Sequence, residues 1–276
     1  MQQKTNRLLA DATSPAVMGV LNVTPDSFSD GGQFLSADKA LARAAAMVDA
    51  GVDIIDVGGE STRPGAEEIS VQEELDRMIS IVEGIAKQLD VVLSVDTSKP
   101  EIMRAAEAAG ATMINDVYAL RRPGAMQAAA SLESMIVLMH MQGEPGSMQK
   151  APRYNTLPGD VIDFLADRVS TCVESGIDRE RLIVDPGFGF GKNDRHNVEI
   201  LAKLEQFADL RLPLLVGLSR KKTLGNLTGR SVQDRGAAGI AAALVAVQKG
   251  ASIVRTHDVA ATIDALAVLQ AVVESG

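Results

Sequence analysis

The chain has 276 residues, 46% hydrophobic and 23% charged, which is ordinary globular usage and excludes a disordered chain. Its 27 basic and 36 acidic residues leave a net charge of −9, which counts against nucleic acid as a general partner; an anionic substrate would need a local basic cluster. The lone cysteine, Cys172, excludes an intrachain disulfide; Met1-Gln2-Gln3-Lys4-Thr5 lacks a signal peptide's apolar core, and no apolar run approaches the ~18 residues of a membrane span. A cytoplasmic protein with one large core and no membrane partner is expected.

In chain order, short apolar runs alternate with longer amphipathic stretches. Val17–Leu21 is followed by a helical pattern over Ala37–Ala50, and Val52–Val57 by Val71–Gln88. Val91–Val95 leads to Glu101–Ala109, with Thr97-Ser98-Lys99-Pro100 as cap and early proline, and Thr112–Asn115 and Met135–Met139 come next. Then come helix Asp160–Ser175, run Leu182–Val184, helix Val198–Phe207 and run Leu214–Leu218. Helix Ala237–Lys249, run Ile253–Arg255 and helix Ala260–Val273, which Asp258 can cap, close the series. The runs are nearly continuously hydrophobic, as strands of a parallel sheet covered on both faces should be. Gly51, Gly110, Gly176 and Gly250 punctuate the helix ends before the next strand. Eight alternations in this length predict a single (β/α)8 barrel domain over residues 1–276, of the type that takes about 250 residues. A doubly wound open sheet is the alternative, weakened because no GxGxxG follows the first run.

In such a barrel the chemistry sits at the C-terminal strand ends. There the chain delivers Asn22, Asp56, Asp96, Asn115 with Asp116, His140, Asp185, Ser219 and Arg255 with His257. Each alone reads as a helix cap or loop tie; together they point to one pocket. Three loops are unusually rich: residues 22–32, 58–65 (Gly-Gly-Glu-Ser-Thr-Arg-Pro-Gly) and 185–192 (Asp-Pro-Gly-Phe-Gly-Phe-Gly-Lys). Phe28, Phe188 and Phe190 are three of only six phenylalanines, an uneven use of a scarce residue.

These loops, with Asp96-Thr97-Ser98-Lys99-Pro100, Asn115-Asp116, Leu138-Met139-His140-Met141-Gln142-Gly143, Ser219-Arg220-Lys221 and Arg255-Thr256-His257-Asp258, closely resemble the bacterial dihydropteroate synthase family, in order from about residue 16 to 273. The resemblance implies a pterin-binding TIM barrel in folate biosynthesis. It would join 6-hydroxymethyl-7,8-dihydropterin diphosphate to p-aminobenzoate, for which sulfonamides are mimics, and release diphosphate. By that resemblance Asp96, Asn115, Met139, Asp185, Lys221 and Arg255 hold the pterin, and Asn22, Thr62, Arg255 and His257 the diphosphate. Asn22 positions Mg2+, and Phe28, Thr62, Arg63, Pro64, Phe190 and Lys221 surround p-aminobenzoate. Asp96, Asp185, Lys221, Arg255 and His257 are the expected catalytic set, His140 and His196 structural, and a homodimer through the last helices is the expected assembly.

The chemistry suits those residue types. A carboxylate can clasp the flat N–H edge of a pterin with two parallel hydrogen bonds, and a guanidinium can cover the ring while donating to diphosphate. An arylamine is a modest nucleophile, whereas the pterin methylene can carry positive charge, so diphosphate is expected to depart before the amine attacks. One position departs from the family pattern: a hydroxyl residue usually follows the equivalent of Lys221, and here it is Lys222. Lys222 either meets the p-aminobenzoate carboxylate or swings into solvent. A pterin-binding methyltransferase domain and a non-catalytic pterin-binding paralogue are the competing readings.

Overall fold

The structure, a computed structural model, describes residues 15–23, 33–61, 68–143, 148–149 and 151–275, and of 33–36 the backbone alone. Its eight strands are β1 (Ala16–Asn22), β2 (Ile54–Gly58), β3 (Val92–Asp96), β4 (Met113–Asp116), β5 (Met135–Met139), β6 (Leu182–Asp185), β7 (Leu215–Val216) and β8 (Ile253–Thr256). All pair in parallel, in the order β6-β5-β4-β3-β2-β1-β8-β7. A parallel bridge between Val184 and Leu214 joins the two ends, so the sheet closes into the expected barrel. Neighbours in space are neighbours in sequence all the way round, and the order never reverses as it must in a doubly wound sheet.

The helices outside are α1 (Gln33–Asp49), α2 (Val71–Gln88), α3 (Pro100–Ala108), α4 (Ala125–Ser131), α5 (Gly159–Glu174), α6 (Asp194–Ala202), α7 (Lys222–Thr228), α8 (Gly236–Gln248) and α9 (Val259–Glu274). Among the described residues none is long and apolar enough to cross a membrane. The expected punctuation holds: Gly51, Gly110, Gly176 and Gly250 follow α1, α3, α5 and α8 with φ of +92°, +109°, +90° and +97°, a region that favours glycine. Within Thr97-Ser98-Lys99-Pro100, Lys99 is the N-cap of α3, without a side-chain capping bond, and Pro100 opens the helix; Asp258 likewise heads α9 without a side-chain capping bond, its carboxylate pairing with Arg220 at 2.7 Å. Asn193 caps α6 reciprocally with His196, so that helix starts four residues before Val198 and gives way to a 3-10 stretch over Leu204–Leu210.

Two apolar layers lie on either side of the strands. The larger fills the space between sheet and helices. A smaller inner plug of Ala16, Met18, Ile54, Val92, Met113, Met135, Val137, Ile183, Leu215 and Ile253 fills the barrel. Side chains alternate faces along a strand, so two residues beyond each plug position also point inward. From Ile54 that step reaches Asp56, from Val92 Ser94, from Met113 Asn115, from Ile183 Asp185 and from Ile253 Arg255. The apolar plug is thus capped at its C-terminal end by a polar layer.

Candidate active site

Asp56 lies at the centre of this layer, fully buried. Its Oδ1 accepts from Ser94 Oγ at 2.6 Å, and its Oδ2 accepts from Asn115 Nδ2 at 3.1 Å and from Arg255 Nε at 2.6 Å. Arg255 also donates from Nη2 to Asp96 Oδ2 at 3.2 Å. Gly217, inward on the strand run beside it, lies against this side chain: a Cβ there would stand in ordinary van der Waals contact, 3.7 Å from that of Arg255. Among the described residues Nη1 of Arg255 has no hydrogen-bond partner and keeps its donors for a ligand.

Burial, and after it the charge of Asp56, raises the Asp96 carboxyl to about 7 against the pull of Arg255. Burial likewise raises Asp185, while the Gly187 N–H, donating to Oδ1 at 2.7 Å, and the charges of Lys221, Lys192 and Arg255 pull the other way. Lys221 is lowered to about 8 by burial and by Arg255. Its Nζ stands 4.2 Å from the centre of the Phe190 ring, a cation–π contact that leaves the three donors to the pocket. The floor is therefore acidic and the lip cationic.

His257 sits at the end of β8, its Nδ1 3.1 Å from Ser219 Oγ and its backbone N–H donating to the same oxygen at 3.2 Å. Burial, then Arg255 and Arg220, lowers it to about 4, so it is neutral near pH 7. Asn22 lies half-buried at the end of β1, its Oδ1 3.5 Å from where a Cβ would stand on Gly58. Met139, buried, packs with Val117, Met141 and Met148, and Phe190 lies against that group.

The sixth loop is set by backbone geometry. Gly187 has φ of +68°, and a Cβ there would stand 1.9 Å from the His140 carbonyl oxygen, so only glycine fits. Lys192, almost wholly buried, donates from Nζ to the carbonyls of Gly187 and Phe190, both at 3.0 Å, and ties the loop to β5. The feet of the second loop are also stapled: Glu60 Oε1 accepts from Ile69 N at 2.9 Å and from Lys99 Nζ at 3.2 Å, while Lys99 reaches Glu74 at 2.7 Å.

Of the expected residues, Asp96, Asn115, Met139, Asp185, Phe190, Lys221, Arg255, His257 and Asn22 all lie at this one end of the barrel. Phe28, Thr62, Arg63 and Pro64 lie outside the described residues. Lys222 opens α7 with its side chain exposed, and its charge acts on Asp194 of α6. Asp116 is a correction to the strand-end ring: one residue past inward-facing Asn115 it points outward, accepting from Ser98 Oγ at 2.5 Å and from the N–H groups of Tyr118 and Leu120 at 2.8 Å. His140 is buried beside Lys192, and His196 belongs to the α6 cap. Asp56 appears in the sequence only as one strand-end acid among several, and Lys192 and Lys99 carry no sequence signal of burial. The period-2 step from Ile54 to Asp56 is the one cue that could have singled out Asp56.

A parallel barrel with this acidic floor and basic lip has the character of a pterin-binding enzyme, and the profile of the family described as "Pterin binding enzyme" matches residues 18–257. The chain is 49% identical over 261 residues to the dihydropteroate synthase of Escherichia coli strain K12, covering 95% of this chain and 93% of that one. Dihydropteroate synthase of Xanthomonas albilineans with 4-aminobenzoic acid superposes with a TM-score of 0.90 at 51% identity, covering 95% of this chain and 94% of that one. The same organism's enzyme in complex with 7,8-dihydropteroate gives 0.86 at 48% identity, with the same shares covered. The chain belongs to the dihydropteroate synthase family, a family of transferases.

Proposed function

We propose that the protein condenses 6-hydroxymethyl-7,8-dihydropterin diphosphate with p-aminobenzoate to give 7,8-dihydropteroate and diphosphate. The observation that carries this reading is Arg255, held by Asp56 and Asp96 over the acidic floor with donors to spare. Asp185 and Asn115 read the N–H edge of the pterin, Asp96 lies deeper, and Lys221 donates to the ring carbonyl. Met139 packs on the ring. Arg255 and His257 take the diphosphate, with Thr62 beside them. The bond from the pterin methylene to the diphosphate oxygen breaks first, Arg255 and His257 stabilising the departing anion. The positive charge left on the methylene faces the carboxylates of Asp96 and Asp185. The amine then forms the C–N bond and loses a proton, and no covalent intermediate with the chain is needed. Phe28, Thr62, Arg63, Pro64, Phe190, Lys221 and Lys222 form the p-aminobenzoate side.

Mg2+ fits Asn22. Among the described residues no cluster of three or more His, Cys, Asp or Glu is placed to cage a metal, whereas one amide oxygen is what a magnesium shared with water and diphosphate requires of the protein. Bound there, Mg2+ supplies neutralisation of the diphosphate charge. A homodimer through α8 and α9 belongs to the same reading, supported by Val268, Val272 and Val273 on α9, each about two-thirds exposed, and Val245 on α8. Cytoplasmic location accords with a single, buried, free Cys172. The test is to mix both substrates with Mg2+: diphosphate and dihydropteroate should form one to one. No diphosphate release would overturn the reading in favour of a binding protein or a methyltransferase domain.

A further inference from the structure

We infer that Asp56 is a positioning residue for this reaction, aiming both Arg255 and Asn115 at the substrate; the inference rests on the site assignment above. Asp56 is the meeting point of three donors from three other strands: Ser94 on β3, Asn115 on β4 and Arg255 on β8. Its carboxylate is fully buried, and these bonds take three of its roughly four acceptor sites, including both on Oδ2. Its role is in what it leaves the others to present.

An unrestrained carboxamide can turn by half a rotation and exchange acceptor for donor at almost no steric cost. With Nδ2 of Asn115 donating to Asp56, the amide oxygen is the end turned away from it. That orientation offers an acceptor to the N–H edge of a pterin. Arg255 is restrained in the same way. A bond at Nε fixes the guanidinium plane, Nη2 is spent on Asp96, and Nη1 remains for substrate. A free arginine side chain would lose substantial rotamer freedom on binding; here that ordering precedes the ligand. Buried ion pairs add little net stability in general, so folding alone does not account for a buried Asp56–Arg255 pair at this depth.

Asp56→Asn is nearly isosteric but removes the charge: with its oxygen turned to Asn115 and Arg255 and its NH2 donating to Ser94 Oγ, it replaces the charge-assisted bond to Arg255 with a weaker neutral one and loosens the hold on the guanidinium. The expected result is a fall in kcat/KM for the pterin substrate of about 100-fold, with KM for p-aminobenzoate changed by less than about threefold. The acid limb of the pH profile of kcat/KM should also move to lower pH. Asp96 faces Asp56, Arg255, Glu74 and Asp116, and the variant deletes one of its three acidic neighbours. Most directly, the losses should be non-additive: in an Arg255→Ala background, Asp56→Asn should cost less than about a third of its effect, on a logarithmic scale, in the wild-type background. If Asp56→Asn does not fold, Ser94→Ala takes its place in the cycle. It loosens the same carboxylate and should lower kcat/KM several-fold only where Arg255 is present. Wild-type kinetics, or additive losses, would overturn the positioning role. Wild-type kinetics in Arg255→Ala alone would instead overturn the site assignment beneath it.

Discussion

Nζ of Lys192 lies 2.8 Å from Nδ1 of His140, joining the sixth loop to the end of β5 beneath the substrate pocket. Burial, with Lys192 adding to it, pushes the imidazole pKa far down, so His140 is neutral and can accept at Nδ1. Lys192→Met should strand that nitrogen and the Phe190 carbonyl, while the Gly187 carbonyl keeps the Phe190 N–H at 3.0 Å, at about 1–3 kcal/mol for each buried group left unpaired. Thermal unfolding should show a Tm lower by roughly 5–10 °C. A Tm within one degree of wild type would refute this role for the pair.

Arg255→Lys keeps the charge and loses the fork. An ammonium cannot hold Asp56 and Asp96 while donating to diphosphate, so kcat/KM should fall about 100-fold, near 3 kcal/mol of transition-state stabilisation. Steady-state assays with both substrates measure it, and a fall of less than about threefold would contradict the role.

The pH dependence follows from two groups shifted toward each other. Asp96 is raised to about 7 and must be ionised to face a developing cation, so kcat/KM should climb as pH rises through about 7. Lys221 is lowered to about 8 and must be protonated to donate, so the rate should decline above about 8. A narrow bell between these limbs is expected. A profile flat from pH 6 to 9 would be incompatible with both assignments.

His257 offers a direct probe of the anion site. Its pKa of about 4 reflects burial and the nearby cations Arg255 and Arg220. Diphosphate bound beside it would favour the imidazolium, so the NMR titration midpoint should move up by at least about one unit when Mg2+ and inorganic diphosphate are added. An unmoved midpoint would place the anion elsewhere.

Much of this architecture can be read from residue order. All eight strands coincide with the apolar runs, because strands covered on both faces are nearly continuously hydrophobic. The glycines after α1, α3, α5 and α8 mark their ends for a backbone reason. Helix α4 escapes such a reading because seven residues, Ala125–Ser131, are too few to show a period, and α7 because Gly225 interrupts it. Within the site, Asp96, Asn115, Asp185, Lys221 and Arg255 are legible through the resemblance. Asp56 and Lys192 are not, since what distinguishes them is depth and partners contributed by strands and loops far away in sequence. The Asp56–Arg255 bond spans 199 residues.

The exposed valines of α9 predict an assembly. Val268→Glu with Val272→Glu should convert a dimer to a monomer of half the mass by light scattering, with the apolar face made charged. A wild-type chain that is monomeric at tens of micromolar would count against that interface.

The most direct measurement is a crystal structure with the dihydropterin substrate bound. The ring should lie in the barrel mouth with its N–H edge on Asp185 and the Asn115 amide oxygen, the Arg255 guanidinium close to it and the diphosphate beside His257. A ring bound at the opposite end of the barrel, or turned so that its N–H edge faces Lys221, would contradict the account.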